Sequence, residues 1–336
     1  MSNQALAVKY RPKKFADVVE QDSVKTILLH QLETNTVKHA YLFCGGAGTG
    51  KTTCARIFAS DINKGEGAPI EMDAASHNGV DDVRDIIRQA QTKSLDSEYK
   101  VFVIDECHSL SNTAWQAMLK LIEEPPEKSI FIFCTTDPQK IPGTIMSRVQ
   151  RFDFKRISQQ GIVEQLLYIC SEEAEDANLE AIQYIAQIAD GGMRDAITLL
   201  DKCLSYSDEL TVSNVVEVLG VSTYDCMVNL FDYLCSGNSE ATVQLVEEIY
   251  QNGKDLKLFV KEFLNFVIDV LKYTQTKSMS YIKIPKEYEG KLKKVEATET
   301  VYDLLDMLVR LNANIKWTNN PKYDIEAQFL LFEAES

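Results

Sequence analysis

Apolar and polar positions follow two different periods along this chain. Between about residues 40 and 157, short and nearly continuous apolar runs are each followed by an amphipathic stretch. AYLFC (40–44) leads through a Gly-rich turn into KTTCARIFASDI. YKVFVID (99–105) leads into NTAWQAMLKLIEE, which Pro125-Pro126 closes, and SIFIFC (129–134) is a third strand, with PIEMDA (69–74) a fourth. Strands that are apolar at nearly every position have no face for water, so they predict a parallel sheet covered by helices on both sides. Beyond residue 158 such runs stop. SQQGIVEQLLYICSEEA, LEAIQYIAQIA, MRDAITLLDKCL and VSNVVEVLG instead carry apolar residues three and four apart, the helical spacing. Gly220-Val221-Ser222 predicts a break. After it come DCMVNLFDYLC, EATVQLVEEIYQN, a long DLKLFVKEFLNFVIDVLKYTQ and a C-terminal helical stretch. In the long segment Leu256, Phe259, Phe263, Phe266 and Val270 form one stripe, read as packing rather than a cofactor contact. The pattern thus predicts an α/β domain over 1–157, an all-α domain over 158–222 and a second all-α domain over 223–336.

Composition changes this picture little. A chain of 336 residues is too long for one ordinary core, and 45% apolar with 25% charged residues is usual for a globular protein. No apolar run approaches the roughly eighteen residues that cross a bilayer, and MSNQALAVKYRPKK lacks a secretory apolar region. No membrane association is expected, and the cytoplasm is the expected location. The eight cysteines include no CxxC pair and several sit inside apolar runs (LFC, FIFC, YIC), so reduced, buried thiols are expected and no zinc. A net charge of −15 argues against binding nucleic acid over the whole surface. It leaves room for a local basic face, and Lys and Arg are densest in KYRPKK and across 139–156.

Chemistry concentrates in two places. Gly45-Gly46-Ala47-Gly48-Thr49-Gly50-Lys51-Thr52 fits G-x-x-x-x-G-K-[ST], and it follows a strand and opens a helix, as phosphate binding requires. Glycines such as Gly45, Gly48 and Gly50 let the backbone curl its N–H groups toward phosphate, and the helix offers its positive end, with Thr53 in its first turn. Lys51 adds a cation, and the Thr52 hydroxyl can ligate Mg²⁺. The second place is Asp105-Glu106, at the end of VFVID. That strand is expected to deliver Asp105 to the site beside the first strand, where Asp105 can help hold the magnesium and Glu106 can act as general base toward water. Cys107 and His108 come next and are read as packing and hydrogen-bonding residues. Arg194, in DGGMRDAITLLD (190–201), starts an amphipathic helix and matters only if that helical domain folds over the nucleotide.

These stretches, with others, resemble the gamma/tau family of DNA polymerase III, the AAA+ ATPase subunits of bacterial clamp loaders. The shared words are KYRPKKFADVV (9–19), HAYLFCGGAGTGKTTCARIFA (39–59), IEMDAASHNGVDDVRDI (70–86), VFVIDECHSLS (101–111), AMLKLIEEPPE (117–127), FIFCTTDPQKIPGTIMSRVQRFDF (131–154) and DGGMRDAITLLD. They span most of residues 5–202; from 223 onward the likeness is one of length and helical content. The resemblance implies that Arg148, after Ser147, reaches into a neighbouring subunit's ATP site and is catalytic in trans. It implies Thr136, or alternatively Thr135, as a polar sensor of the γ-phosphate, and Arg194 as a second sensor. Tyr10, Arg11, Val18 and Val19 match the segment that packs around adenine.

The implied function is the ATPase motor of the replication clamp loader. ATP and Mg²⁺ are its cofactors, and it works in a five-subunit assembly that opens a sliding clamp and loads it on primer–template DNA held by backbone contacts. Two alternatives stand beside it: a non-hydrolysing structural subunit of the same machine, and another AAA+ DNA motor of the branch-migration type. Arg84, Arg88 and Lys93 are candidates to face clamp or DNA, or equally a solvated helix face. The chain departs from the family pattern at several points. Only SDINKGEGAP stands where the family carries a four-cysteine zinc module; Glu20 replaces a glycine before Gln21; Gly46-Ala47 replace Pro-Arg; Val149 replaces a cysteine. A form without the zinc module and without a long C-terminal tail is therefore expected.

Overall fold

The computed structural model describes residues 4–92, 94, 96–173, 175–176, 178–207, 209–219 and 224–335. Lys93 and the expected break at Gly220-Val221-Ser222 lie outside the described residues. The chain forms two compact units, Met1–Leu210 and Thr211–Ser336, so the helix over 212–219 groups with the C-terminal helices rather than with the segment before it.

The first unit begins with α1 (Leu6–Lys9) and α2 (Asp22–Glu33), then alternates strand and helix: β1 (Ala40–Cys44), α3 (Lys51–Ile62), β2 (Ile70–Asp73), α4 (Val80–Ala90), β3 (Lys100–Asp105), α5 (Asn112–Glu123), β4 (Ser129–Thr135), α6 (Gly143–Met146) and β5 (Gln150–Asp153). All five strands run parallel, in the order β2-β3-β4-β1-β5. Successive side chains alternate across the sheet. Leu42, Phe102, Ile104, Phe131 and Phe133 therefore pack beneath Val83, Ile86, Trp115 and Met118 of α4 and α5. Their neighbours Tyr41, Phe43, Val101, Val103, Ile130 and Ile132 pack against Leu28, Cys54, Phe58 and Ile62 of α2 and α3. Burial on both faces is the physical reason these strands read as unbroken apolar runs. Local signals set the helix ends: Ser111 caps α5 by accepting from the Ala114 N–H at 3.2 Å, and the two prolines come just after its last residues.

Two features lay beyond what the sequence pattern predicts. The strand carrying Asp105 is not beside β1, because β4 lies between them. The sheet also has a strand that the hydrophobic pattern does not announce: in β5 only Phe152 is buried. An edge strand of four residues with one wet face leaves too short an alternation to recognise.

Three helices complete the unit: α7 (Gln159–Glu173), α8 (Leu179–Ile188) and α9 (Met193–Tyr206), packed through Ile162, Leu166, Ile182, Ile185, Ile197 and Leu200. The N-terminal segment is tied to them. The Leu6 N–H donates to Asp201 Oδ2 at 3.1 Å, Tyr10 meets Tyr168 edge to face at 6.4 Å, and Glu173 accepts from both Lys9 and Tyr10.

Among the described residues the second unit has helices and no strand: α10 (Val212–Leu219), α11 (Tyr224–Ser236), α12 (Ser239–Gln251), α13 (Leu256–Thr276), α14 (Glu289–Leu292), α15 (Glu299–Asn314) and α16 (Pro321–Glu335). All five residues of the predicted stripe on α13 are buried, with Phe259, Phe263 and Phe266 stacked in series and Phe263 meeting Phe329 of α16 edge to face. The stripe is core, as its spacing predicted.

Candidate functional site

The site gathers at the carboxyl ends of the parallel strands, where the loops of an open α/β sheet leave a crevice. After β1 the chain turns through Gly48 (φ +68°) and Gly50 (φ +98°), both in the left-handed region, and enters α3 at Lys51. A Cβ on Gly48 would lie 2.9 Å from Gly192 Cα, and the Gly48 carbonyl accepts from the Met193 N–H at 3.0 Å. Glycine is thus required for the left-handed backbone and for the close approach of the loop before α9. Lys51 is buried, and its Nζ donates to the carbonyls of Gly45 at 2.9 Å and Gly46 at 2.7 Å. Burial lowers its pKa, while Glu106 and Asp105 pull the other way.

Across the crevice, Asp105 Oδ2 accepts from Thr52 Oγ1 at 2.7 Å, and Asp105 Oδ1 accepts from the Glu106 N–H at 3.0 Å. Helix α3 therefore bridges the gap that β4 opens between β1 and β3. Glu106 itself stands in a left-handed conformation (φ +44°). Its Oε2 accepts from Thr136 Oγ1 at 2.9 Å, so of the two threonines at the end of β4 it is Thr136 that meets the acid. Thr135 is fully buried and turns toward His108 Nδ1, 3.2 Å away.

Tyr10, Arg11, Val18, Val19, Gly48, Gly50, Lys51, Thr52, Thr53, Asp105, Glu106 and Arg194 all line one cleft of about 280 Å³. Gly45 and Thr136 stand behind its wall, Gly45 through its carbonyl to Lys51 and Thr136 through Glu106. Among the described residues, no carboxylate forms an ion pair with Arg11 or Arg194. The Arg11 pKa is lowered by burial first, then by the nearby Arg56 and Arg194 guanidiniums. Two arginines without an ion-pair partner, beside a buried lysine and a curled glycine loop, face carboxylates such as Asp105 and Glu106 across the cleft, and a nucleotide polyphosphate with its metal ion fits that arrangement. Ile157, Gln165, Met193 and Ile197 also line the cleft, and sequence reading did not single them out. The one signal was that Ile197 stands three residues beyond Arg194 and four beyond Met193 on the same helix.

Comparison with known proteins points the same way. Residues 68–158 match the model of the DNA polymerase III delta subunit, 161–209 that of the clamp loader subunit ATPase lid domain, and 210–328 that of domain III of DNA polymerase III subunits gamma and tau. DNA polymerase III subunit tau of Bacillus subtilis is 38% identical across 97% of this chain. This chain belongs to the gamma/tau family of DNA polymerase III. The tau subunit of Escherichia coli is 36% identical over 80% of the chain. The chain spans 62% of the length of the Bacillus relative and 45% of the Escherichia one. Among solved structures, the Thermotoga maritima RuvB Holliday junction branch migration motor matches 67% of the chain and 79% of its own with a TM-score of 0.53. At 21% identity that likeness is one of fold, the AAA+ P-loop fold that the family resemblance implied. The family match extends past 202 to residue 328, further than the shared words led one to expect.

Against the gamma/tau pattern, Glu20 has a physical explanation. Its backbone is left-handed (φ +54°), which is the conformation a glycine adopts without strain. The Glu20 carboxylate offsets that strain by accepting from the Ser158 N–H at 3.1 Å and from its hydroxyl, just before α7. Next to it, buried Gln21 bonds both backbone groups of Lys155, donating to the carbonyl at 2.7 Å and accepting from the N–H at 3.1 Å. Arg148 stands apart from all of this. It does not line the cleft: its Nη2 lies 2.7 Å from Glu123 Oε1 on α5, and its Nη1 donates to the Thr144 carbonyl at 2.8 Å and to Ser147 Oγ at 3.1 Å. Arg84 and Arg88 pair along α4 with Asp81 and Asp85, which supports the solvated-face reading.

Proposed function

We propose that this chain is the ATP-hydrolysing motor subunit of a clamp loader, opening a sliding clamp and loading it on primer–template DNA. One observation carries the reading: Lys51, Thr52, Asp105, Glu106 and Arg194 converge on one cleft, while Arg148, the remaining cation of the motif set, sits outside it. The Gly45–Thr52 loop, the start of α3 and Lys51 bind the triphosphate. Tyr10, Arg11, Val18 and Val19 enclose the adenine end. Thr52 and Asp105 would hold Mg²⁺, which supplies charge neutralisation between the phosphates when bound. Glu106 takes the proton of the attacking water. Thr136 and Arg194 report the state of the γ-phosphate, and Arg148 completes the site of the adjacent subunit.

Residues 1–157 then form the ATP-binding domain, followed by a lid and a collar that joins subunits. The break between compact units at Leu210 favours a lid ending there rather than at 222. A cytoplasmic five-subunit assembly that contacts DNA through its phosphates, without base readout, completes the reading. None of the described helices is long and apolar enough to cross a membrane.

The test is a loading assay. The chain is mixed with partner subunits, sliding clamp, ATP and primed circular DNA, and clamps retained on the DNA are counted. ATP-dependent retention is expected; a complex that displaces strands or migrates junctions without any clamp would replace the proposal with the branch-migration reading. A finer prediction concerns the loop. Gly48→Ala should weaken nucleotide binding by roughly 10- to 100-fold, from about 1–3 kcal/mol of backbone strain plus the approach to Gly192. Titration of a fluorescent ATP analogue, with circular dichroism to confirm folding, measures it. Unchanged affinity would mean that the loop is not the phosphate cradle.

A further inference from the structure

Glu106 and the end of β4 are joined by a network larger than the assigned functions use. Glu106 Oε2 accepts from Thr136 Oγ1 at 2.9 Å and lies 3.3 Å from His108 Nδ1. The same Nδ1 lies 3.2 Å from Thr135 Oγ1, which accepts from the Asp137 N–H at 3.0 Å. Thr135 is fully buried, so this anchor is rigid. A carboxylate oxygen beside Nδ1 favours the tautomer with its proton there, because a bare ring lone pair facing the anion would be repelled. The ring N–H is then shared between Glu106 and Thr135. Both neighbours that approach Glu106 Oε2 are thus donors, and both are held by the end of β4.

We propose that His108 is a positioning residue that, with Thr136, pins Oε2 of Glu106 and so leaves Oε1 as the atom presented to the attacking water. The proposal rests on the reading of Glu106 as general base and deepens it. Two donors on one oxygen withdraw basicity from that oxygen and fix the carboxylate plane. Sequence shows only that His108 lies two residues beyond Glu106; the shared oxygen is visible because β4 brings Thr135 and Thr136 to the same point.

The experiment uses variants of His108 in the complex assembled with partner subunits, clamp and primed DNA. An asparagine amide nitrogen stands close to where Nδ1 was, whereas a glutamine amide reaches toward the position of Nε2. His108→Ala should lower kcat on the order of tenfold, as losses of an orienting partner do, with KM for ATP unchanged within about twofold. His108→Asn should restore most of kcat, and His108→Gln should restore little. A volume-filling role would predict the reverse order, since glutamine replaces more of the ring, and that order would overturn the proposal. Equal kcat in all three variants would overturn it too. Glu106→Gln separates this failure from failure of the underlying reading: if it too retains full hydrolysis, Glu106 is not the base; if it abolishes hydrolysis while the His108 variants do not differ, only the positioning role is lost.

Discussion

Arg148→Ala is expected to cut ATP turnover of the assembled complex by on the order of 10³- to 10⁵-fold, the effect of removing an arginine supplied by a neighbour in related NTPases, while ATP binding to the isolated chain stays unchanged. The expectation comes from the family resemblance, and the place of the side chain is compatible with it. Arg148 is at none of the walls of its own cleft, and its guanidinium engages Glu123, Thr144 and Ser147 on the surface formed by α5 and α6. A pair this exposed contributes about 0–1 kcal/mol to stability, so its loss leaves the fold intact. The same modest strength lets the guanidinium leave Glu123 for a phosphate at little cost. Single-turnover hydrolysis in the complex, beside nucleotide titration of the chain alone, tests both halves. Undiminished turnover would remove Arg148 from catalysis, and weakened binding by the isolated chain would mean that it acts in cis.

Lys51→Ala should behave differently in the isolated chain. Here binding itself is expected to fail, and turnover in the complex should fall by about 10²–10³-fold with clamp loading abolished. Lys51 is the cation at the centre of the loop, and its ammonium donates to two backbone carbonyls at 2.9 and 2.7 Å; alanine would leave that of Gly45 without this donor, while that of Gly46 keeps the Thr49 hydroxyl at 2.9 Å. One such orphaned acceptor costs about 1–3 kcal/mol, so the loop is expected to change shape as well as lose its charge. Lys51→Arg separates the two contributions: it restores charge without restoring the compact geometry, and its binding should stay well below that of the wild type. Equal loading by wild type and Lys51→Ala would identify this chain as a structural subunit rather than the motor.

Much of the site was legible in the order of residues. A glycine loop between a strand and a helix, an acidic pair ending an apolar strand and an arginine opening an amphipathic helix are local patterns, and each names residues that do line the cleft. Less legible was what each residue touches. Asp105 does meet Thr52 at the start of α3, but that β4 stands between its strand and β1 was not legible, because strand order is a long-range matter. The resemblance put Thr136 ahead of Thr135, and two identical side chains gave no physical ground for it. Alternation at the end of β4 buries Thr135 and turns Thr136 to Glu106. Glu20 looked like a plain departure until its left-handed backbone and its bond to Ser158 appeared together.

By itself, then, the sequence determined the alternation of strands and helices, the all-α remainder, the buried stripe on α13 and the membership of the glycine loop that opens α3. All of these depend on spacing within a few residues, where periodicity and backbone preference act. Only the tertiary structure decided the strand order, the edge strand β5, the network joining Glu106 to Thr135, Thr136 and His108, and the position of Arg148 away from its own cleft. Those features arise where segments tens of residues apart meet, and side-chain packing rather than local preference selects their partners.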